Sequence, residues 1–221
     1  MCRLLLLHNP AGMDPNPALE KFRQLSRNSR EYQGHGWGCG WLDSTGSWIF
    51  HHDIRPVWED ERRDYPQTTL FLGHARSAFR DEGIAIENNM PFTDNRSVFI
   101  FNGELHGVKV KSEGRIGAEK IFNYIRRFDR GDMAEAVRRA AGIIEKRTRY
   151  VRAMNFMLAT NDAVHVYSSF NEDPGYFQMR TKRIGDTLAL CSESFPGDGP
   201  SDWSAIENHT LLSIPLRENR A

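Results

Sequence analysis

Short apolar runs closed off by Gly, Pro, Asn or Asp set the pattern of this chain. Arg3 to His8, Trp37 to Leu42, Ser47 to Ile54, Thr69 to Arg76 and Ser97 to Phe101 alternate or run continuously apolar, which predicts strands. A second set is predicted at Asn155 to Thr160, Ala163 to Ser168, Tyr176 to Arg183, Thr187 to Ser192 and Thr210 to Pro215. Asn161-Asp162 and Gly185-Asp186 read as hairpin turns within it.

Between the two sets the period changes. Ile121, Phe122, Ile125 and Phe128 share one helical face, and Met133, Val137, Ala140, Ala141 and Ile144 share another. Asp132 and Glu135 form a capping-box-like start for the second helix. An earlier helix is predicted from about Ala18 to Arg30, after the Pro15-Asn16-Pro17 breaker. Strand sets flanking a helical pair predict an α+β fold, since each amphipathic face must bury itself against another layer. No linker or repeat divides residues 1–221, so one domain is expected. The basic stretch Lys146 to Arg152 reads as the end of a helix, where cations meet the negative end of its dipole.

Composition narrows the function classes. Of 221 residues, 39% are hydrophobic and 26% charged, which suits a globular core and excludes a disordered or collagenous chain. Lys plus Arg and Asp plus Glu both number 29, so no net field recruits nucleic acid or an anionic membrane. The aliphatic run Leu4 to Leu7 is far shorter than the roughly 20 residues of a bilayer span, and the first residues lack the pattern of a secretory signal. Cys2, Cys39 and Cys191 are widely spaced and form no CxxC pattern, so neither a disulfide framework nor a zinc site is expected. The expected compartment is therefore the reducing cytoplasm. His35 and Cys39 lack the partners of a metal site, and Gly34, Gly36, Gly38 and Gly40 alternate without the GxGxxG spacing of a dinucleotide turn. No metal or cofactor is expected. The alternating glycines instead predict close approach of another backbone or a substrate.

Candidate chemistry begins at Cys2, which directly follows Met1. Loss of Met1 would leave one residue with a thiol nucleophile and an α-amine of ordinary pKa roughly 7.7 to 8.0, suited to act as its base. GHARSAF, residues 73–79, puts His74 and Arg76 on one side of a strand end by period 2, and a guanidinium there suits bidentate capture of a carboxylate. FNGEL, residues 101–105, puts Asn102 and Gly103 just past another strand. An amide and an adjacent backbone N–H in that place can stabilise an oxyanion, although Asn-Gly by itself reads as a hairpin turn.

In this order the segments resemble the class II glutamine amidotransferases of the N-terminal-nucleophile hydrolase fold. The likeness runs nearly end to end: MCRLL, GHGWGCGW at 34–41, GHARSA, ENNMPF at 87–92, FNGEL, GRIGAEKIF at 114–122, NFMLAT at 155–160 and CSES at 191–194. It is nearest to a small free-standing branch that includes the ergothioneine-pathway γ-glutamyl hydrolase and the yeast glutathione-degrading amidotransferase subunit. The resemblance implies a four-layer αββα sandwich, whose two antiparallel sheets are expected to correspond to the two strand sets. It also implies Cys2 as nucleophile, Arg76 as ligand of the glutamyl α-carboxylate, and Asn102 with Gly103 as oxyanion hole. Trp37, His74 and Asn88 fall on motif positions lining the substrate pocket.

Three positions depart from the family pattern. Gly117 stands where the family carries an Asp that holds the substrate α-ammonium, Met90 where many relatives have the His of an NxHP motif, and His35 where the branch often has Asp. Either Glu113 or Glu119 then supplies the missing carboxylate, or the substrate has no free α-amine. The resemblance thus leads to a hydrolase of γ-glutamyl amides acting on a small molecule. The alternatives are a glutaminase that hands ammonia to a synthase subunit in trans, or a catalytically silent relative that binds a metabolite or scaffolds a complex.

Overall fold

The computed structural model describes residues 1–62 and 64–216. In chain order it forms β1 (Arg3–Met13), α1 (Asn16–Arg27), β2 (Trp37–Leu42), β3 (Trp48–Asp53), β4 (Thr68–Ala75), β5 (Phe92–Thr93) and β6 (Val98–Val108). There follow α2 (Gly117–Arg126), α3 (Met133–Lys146), β7 (Thr148–Ala159), β8 (Ala163–Ser168), α4 (Pro174–Phe177), β9 (Arg180–Ile184), β10 (Thr187–Cys191), β11 (Ser204–Ala205) and β12 (Thr210–Pro215). These elements make two units, each built on an antiparallel sheet: Met1–Pro91 with Gln178–Ile206, and Phe92–Phe177 with the chain from Glu207. The fold is α+β, as the pattern predicts.

In the first unit the strand order is β11-β9-β10-β1-β4-β2-β3. β1 is central, paired with β10 through Leu5 and Cys191 and with β4 through Leu5 and Gly73. That is why Leu4 to Leu7 are apolar without alternation: all four are at most 1% exposed. Leu5 and Leu7 share a core with Leu19, Phe22 and Leu25 of α1. This helix starts at Asn16 with Pro17 in its first turn, where a missing N–H costs nothing, and ends at Arg27 rather than Arg30.

The second unit orders its strands β12-β8-β7-β6-β5. Its main ladder runs from Val98 opposite Ala159 to Val108 opposite Thr148, with α2 and α3 in the connection. Asp132 caps α3 by accepting the Glu135 N–H at 2.9 Å, and Val137, Ala140, Ala141 and Ile144 are buried. The expected turns at Asn161-Asp162 and Gly185-Asp186 join β7 to β8 and β9 to β10.

Four expectations need correction. The two strand sets are not the two sheets, because β9 and β10 join β1 whereas β6 pairs with β7; periodicity reports which face is buried, not which strand lies alongside. Asn102 and Gly103 lie inside β6, not beyond it, and face Asn155 and Met154 across the ladder. The polar residues that follow mimic a turn but pair across the sheet, His106 opposite Tyr150 and Glu104 bonded to Arg152 at 3.0 Å. Residues 174–177 form the helical turn α4, so the strand expected from Tyr176 begins only at Arg180. The basic stretch ends α3 at Lys146, but from Thr148 it belongs to β7.

Candidate active site

Cys2 stands immediately before β1, partly exposed. Because β4 runs antiparallel beside β1, with Arg3 opposite Ala75, the chain leaving β4 passes the thiol. There the Ser77 N–H donates to Cys2 Sγ at 3.4 Å and the thiol faces the Ser77 carbonyl at 3.6 Å. Arg76, one residue earlier, is only 4% exposed. Its guanidinium donates to the Gly83 carbonyl at 2.8 Å and to Asn89 Oδ1 at 3.4 Å, and no carboxylate pairs with it among the described residues. Burial pulls its pKa below the usual arginine value, opposed by the neighbouring Cys2 thiol.

The chain entering the glycine-rich strand β2 supports this corner. The Arg76 N–H donates to the Gly36 carbonyl at 2.9 Å, and the Arg76 carbonyl accepts from the His35 N–H at 3.1 Å. Gly36 has φ +100°, and a Cβ there would lie 2.2 Å from Asn89 Nδ2; one on Gly38 would lie 2.5 Å from the Met90 carbonyl. Of the alternating glycines, Gly38 thus admits the Met90 backbone, Gly36 admits the Asn89 side chain, and Gly34 and Gly40 make room for the Tyr32 and Phe50 rings. The His35 ring Nδ1 accepts the Ala78 N–H at 2.9 Å, and burial keeps its pKa low against the opposing Asp81 carboxylate.

Other expected pocket residues are differently employed. The Trp37 side chain is part of the core: fully buried, it donates its indole N–H to Asp60 at 2.9 Å and packs edge-on against Tyr65. His74 is fully buried within β4, opposite Leu4 and Gly38. Asn88 donates to the Gly83 carbonyl at 3.0 Å, the oxygen that Arg76 also uses, while its buried Oδ1 has no partner among the described residues.

In the second unit, Asn102 is 0% exposed and neither its Nδ2 nor its Oδ1 has a hydrogen-bond partner among the described residues. A buried amide with nothing to bond is uncommon and costly. Gly103 has no room for a side chain, since a Cβ would lie 2.4 Å from the Ala153 carbonyl and 2.4 Å from the Phe101 ring. Gly117 is the exposed first residue of α2, and a Cβ there meets open space. The two expected substitute acids are in different states. Glu119 is bound by Arg115 at 2.7 Å, which holds its carboxyl below the usual range, and Glu113 is exposed.

No family model matches the sequence, and no curated protein matches it. Solved structures do. A glutamine aminotransferase class-II domain protein from Silicibacter pomeroyi superposes with TM-score 0.62 at 16% identity, covering 96% of this chain and 94% of that one. A predicted glutamine amidotransferase from Pseudomonas aeruginosa gives 0.60 at 14% identity, covering both chains completely (100% each). Glutamine phosphoribosylpyrophosphate amidotransferase from B. subtilis gives 0.63 at 15%, covering 99% of this chain and 50% of that one. The fold is that of a class II glutamine amidotransferase domain.

Several residues of this amidotransferase fold escaped sequence reading. Gln33 and Asn89, both buried, contact Met1 and Arg76, and only the neighbouring glycine and ENNMPF motifs could have hinted at them. His51, Asp53 and Asp60 bring one ligand atom each within 4.8 Å of one another, a spacing a metal could use. Their carboxylates are already engaged, Asp60 by His51 and Trp37 and Asp53 by Arg55 at 2.8 Å, so the trio reads as an internal polar cluster. No helix among the described residues is long and apolar enough to cross a membrane.

Proposed function

We propose that this chain is a cysteine-dependent amidohydrolase that cleaves a γ-glutamyl amide through an acyl-enzyme on Cys2. The observation that carries the reading is Arg76: a buried guanidinium with no carboxylate partner among the described residues, one residue from the backbone that holds the Cys2 thiol. A buried charge is costly until an opposite charge reaches it, and a substrate α-carboxylate supplies that charge in bidentate geometry. With Met1 removed, the α-amine of Cys2 takes the thiol proton. Sulfur then bonds to the γ-carbonyl carbon, whose π electrons move to oxygen. The resemblance gives that oxyanion to Asn102 and Gly103, and the unfilled Asn102 amide supports the role. Collapse expels ammonia or an amine, which takes up the proton. Water then attacks the thioester with the same amine as base, releasing the glutamyl acid and restoring the thiol.

Gly117 extends the reading to the substrate. Without a carboxylate at position 117, and with Glu119 engaged by Arg115, amides whose α-amine is acylated or absent are expected to be turned over better than free glutamine. A second reading, ammonia supply to a separate synthase, is favoured by the match to half of a phosphoribosylpyrophosphate amidotransferase chain. Intact mass after expression, followed by incubation with a diazoketone analogue of glutamine, tests the shared chemistry. The expected result is loss of Met1 and one adduct on Cys2. A chain that keeps Met1, or an unmodified Cys2, overturns it.

A further inference from the structure

We propose that Gln33 is the positioning residue for the α-amine of mature Cys2. This rests on the reading of Cys2 as an N-terminal nucleophile. Gln33 is 0% exposed. Its Nε2 donates to the Met1 carbonyl at 2.6 Å and to the Glu31 carbonyl at 2.7 Å, with a longer contact of 3.4 Å to Ser29 Oγ. Its Oε1 has no partner among the described residues. Only the donor half of a wholly buried amide is in use, which is a costly arrangement for a final state.

Removal of Met1 changes what this amide faces. The oxygen that Gln33 contacts and the nitrogen of Cys2 are bonded to one carbon, the carbonyl carbon of Met1. Hydrolysis of that peptide takes away an acceptor and leaves an amine with up to three N–H donors in the same place. Rotation of the planar amide about its terminal bond exchanges Oε1 and Nε2 at nearly constant shape. The side chain that serves a carbonyl in the precursor therefore accepts from an amine in the mature chain. The remaining donors have acceptors nearby in the Glu31 carbonyl and carboxylate; the carboxylate already binds the chain-terminal ammonium one residue earlier. Held in this way, the amine keeps its lone pair directed at the thiol on its own residue.

The charged and titratable groups around the amine are Glu31, the Cys2 thiol, His35 and Arg76, with Arg3 on Ser29 Oγ at 3.1 Å and Glu193 paired to Arg3. None of the cations matches the neutral acceptor that Gln33 offers, and Glu31 is the neighbouring anion.

The test uses the full chain with γ-glutamyl-p-nitroanilide, and intact mass is recorded for each protein. Gln33→Met keeps the volume and removes the acceptor. Its kcat is expected to fall about ten- to a hundredfold with KM unchanged within about twofold, because the base is misplaced and the carboxylate ligand is not. Gln33→Glu keeps an acceptor and adds a negative charge, so it is expected to retain most of the turnover and to move the acidic limb of kcat/KM to higher pH. Active wild type lacking Met1, with both variants unchanged in kcat and in the acidic limb, overturns the role of Gln33 and leaves the nucleophile reading standing. Wild type that retains Met1, or a Cys2→Ala variant that turns over at the wild-type rate, overturns both.

Discussion

Asn102 and Asn155 face each other directly across the β6–β7 ladder, both 0% exposed, yet their amides are in opposite states. Asn155 donates to the Phe177 carbonyl at 2.7 Å and accepts the Ser169 N–H at 3.0 Å, whereas Asn102 has no partner among the described residues. The first binds two loops to the sheet. The second is a buried polar group without a partner among the described residues, which costs stability.

This pair separates structure from catalysis. Asn155→Leu strands two buried backbone groups and is expected to destabilise the fold by about 2 to 6 kcal/mol, at about 1 to 3 for each. Asn102→Leu loses no hydrogen bond, so its urea midpoint should stay equal or rise. Its turnover should fall about a hundred- to a thousandfold, as for removal of one oxyanion donor. Equal destabilisation by the two variants would remove Asn102 from the mechanism.

Arg76 makes a similar demand. Arg76→Lys should raise KM sharply, since an ammonium lacks the planar fork. Arg76→Met removes a buried charge that has no carboxylate, and is expected to match or exceed wild type in thermal stability while losing substrate binding. Unchanged KM in the lysine variant would make Arg76 a purely structural donor to Gly83 and Asn89.

Gly117→Asp is sterically free and places an acid at a helix start, where the dipole favours it. It should not lower the melting temperature. With an α-ammonium partner restored, kcat/KM for free glutamine should rise about ten- to a hundredfold, the worth of a hydrogen bond to a charged group. Wild type that already prefers glutamine, with no gain in the variant, would show that another group binds the ammonium.

Thiol reagents should find one target. Cys39 and Cys191 are 0% exposed; burial pushes the Cys191 thiol up to about 12 and the Cys39 thiol further. Native protein treated with iodoacetamide should carry a single adduct, mapped to Cys2 by peptide mass, and three after unfolding. Labelling of Cys39 in the native state would contradict its place in the core.

Stability should fall on the acid side of neutrality. Burial lowers the pKa of His52, opposed by its bond to the Pro91 carbonyl, and of His165, opposed by Asp132. Each group takes up its proton in the unfolded chain first, near the ordinary value of about 6.5. Their stabilising share is therefore complete above that pH and is lost as pH falls toward the folded pKa. Urea midpoints at pH 7.5 and 5.5 should show the drop, and His52→Gln and His165→Gln should each reduce it.

Sequence by itself determined which segments become strands and helices, because burial of one face imposes a period on local residues whatever lies opposite. Leu4 to Leu7, the Asp132 cap and the glycine alternation at 34–40 are legible for that reason. Cys2, Arg76 and Asn102 were legible as candidates because their chemistry is written in their side chains. Tertiary structure alone decided the partners: β10 beside β1, β6 beside β7, and Asn102 inside a ladder whose polar pairs resemble a turn. It also decided that Trp37 packs in the core and that Gln33 reaches Met1, since a side chain's hydrogen-bond partner is fixed by groups far along the chain, which no local pattern encodes.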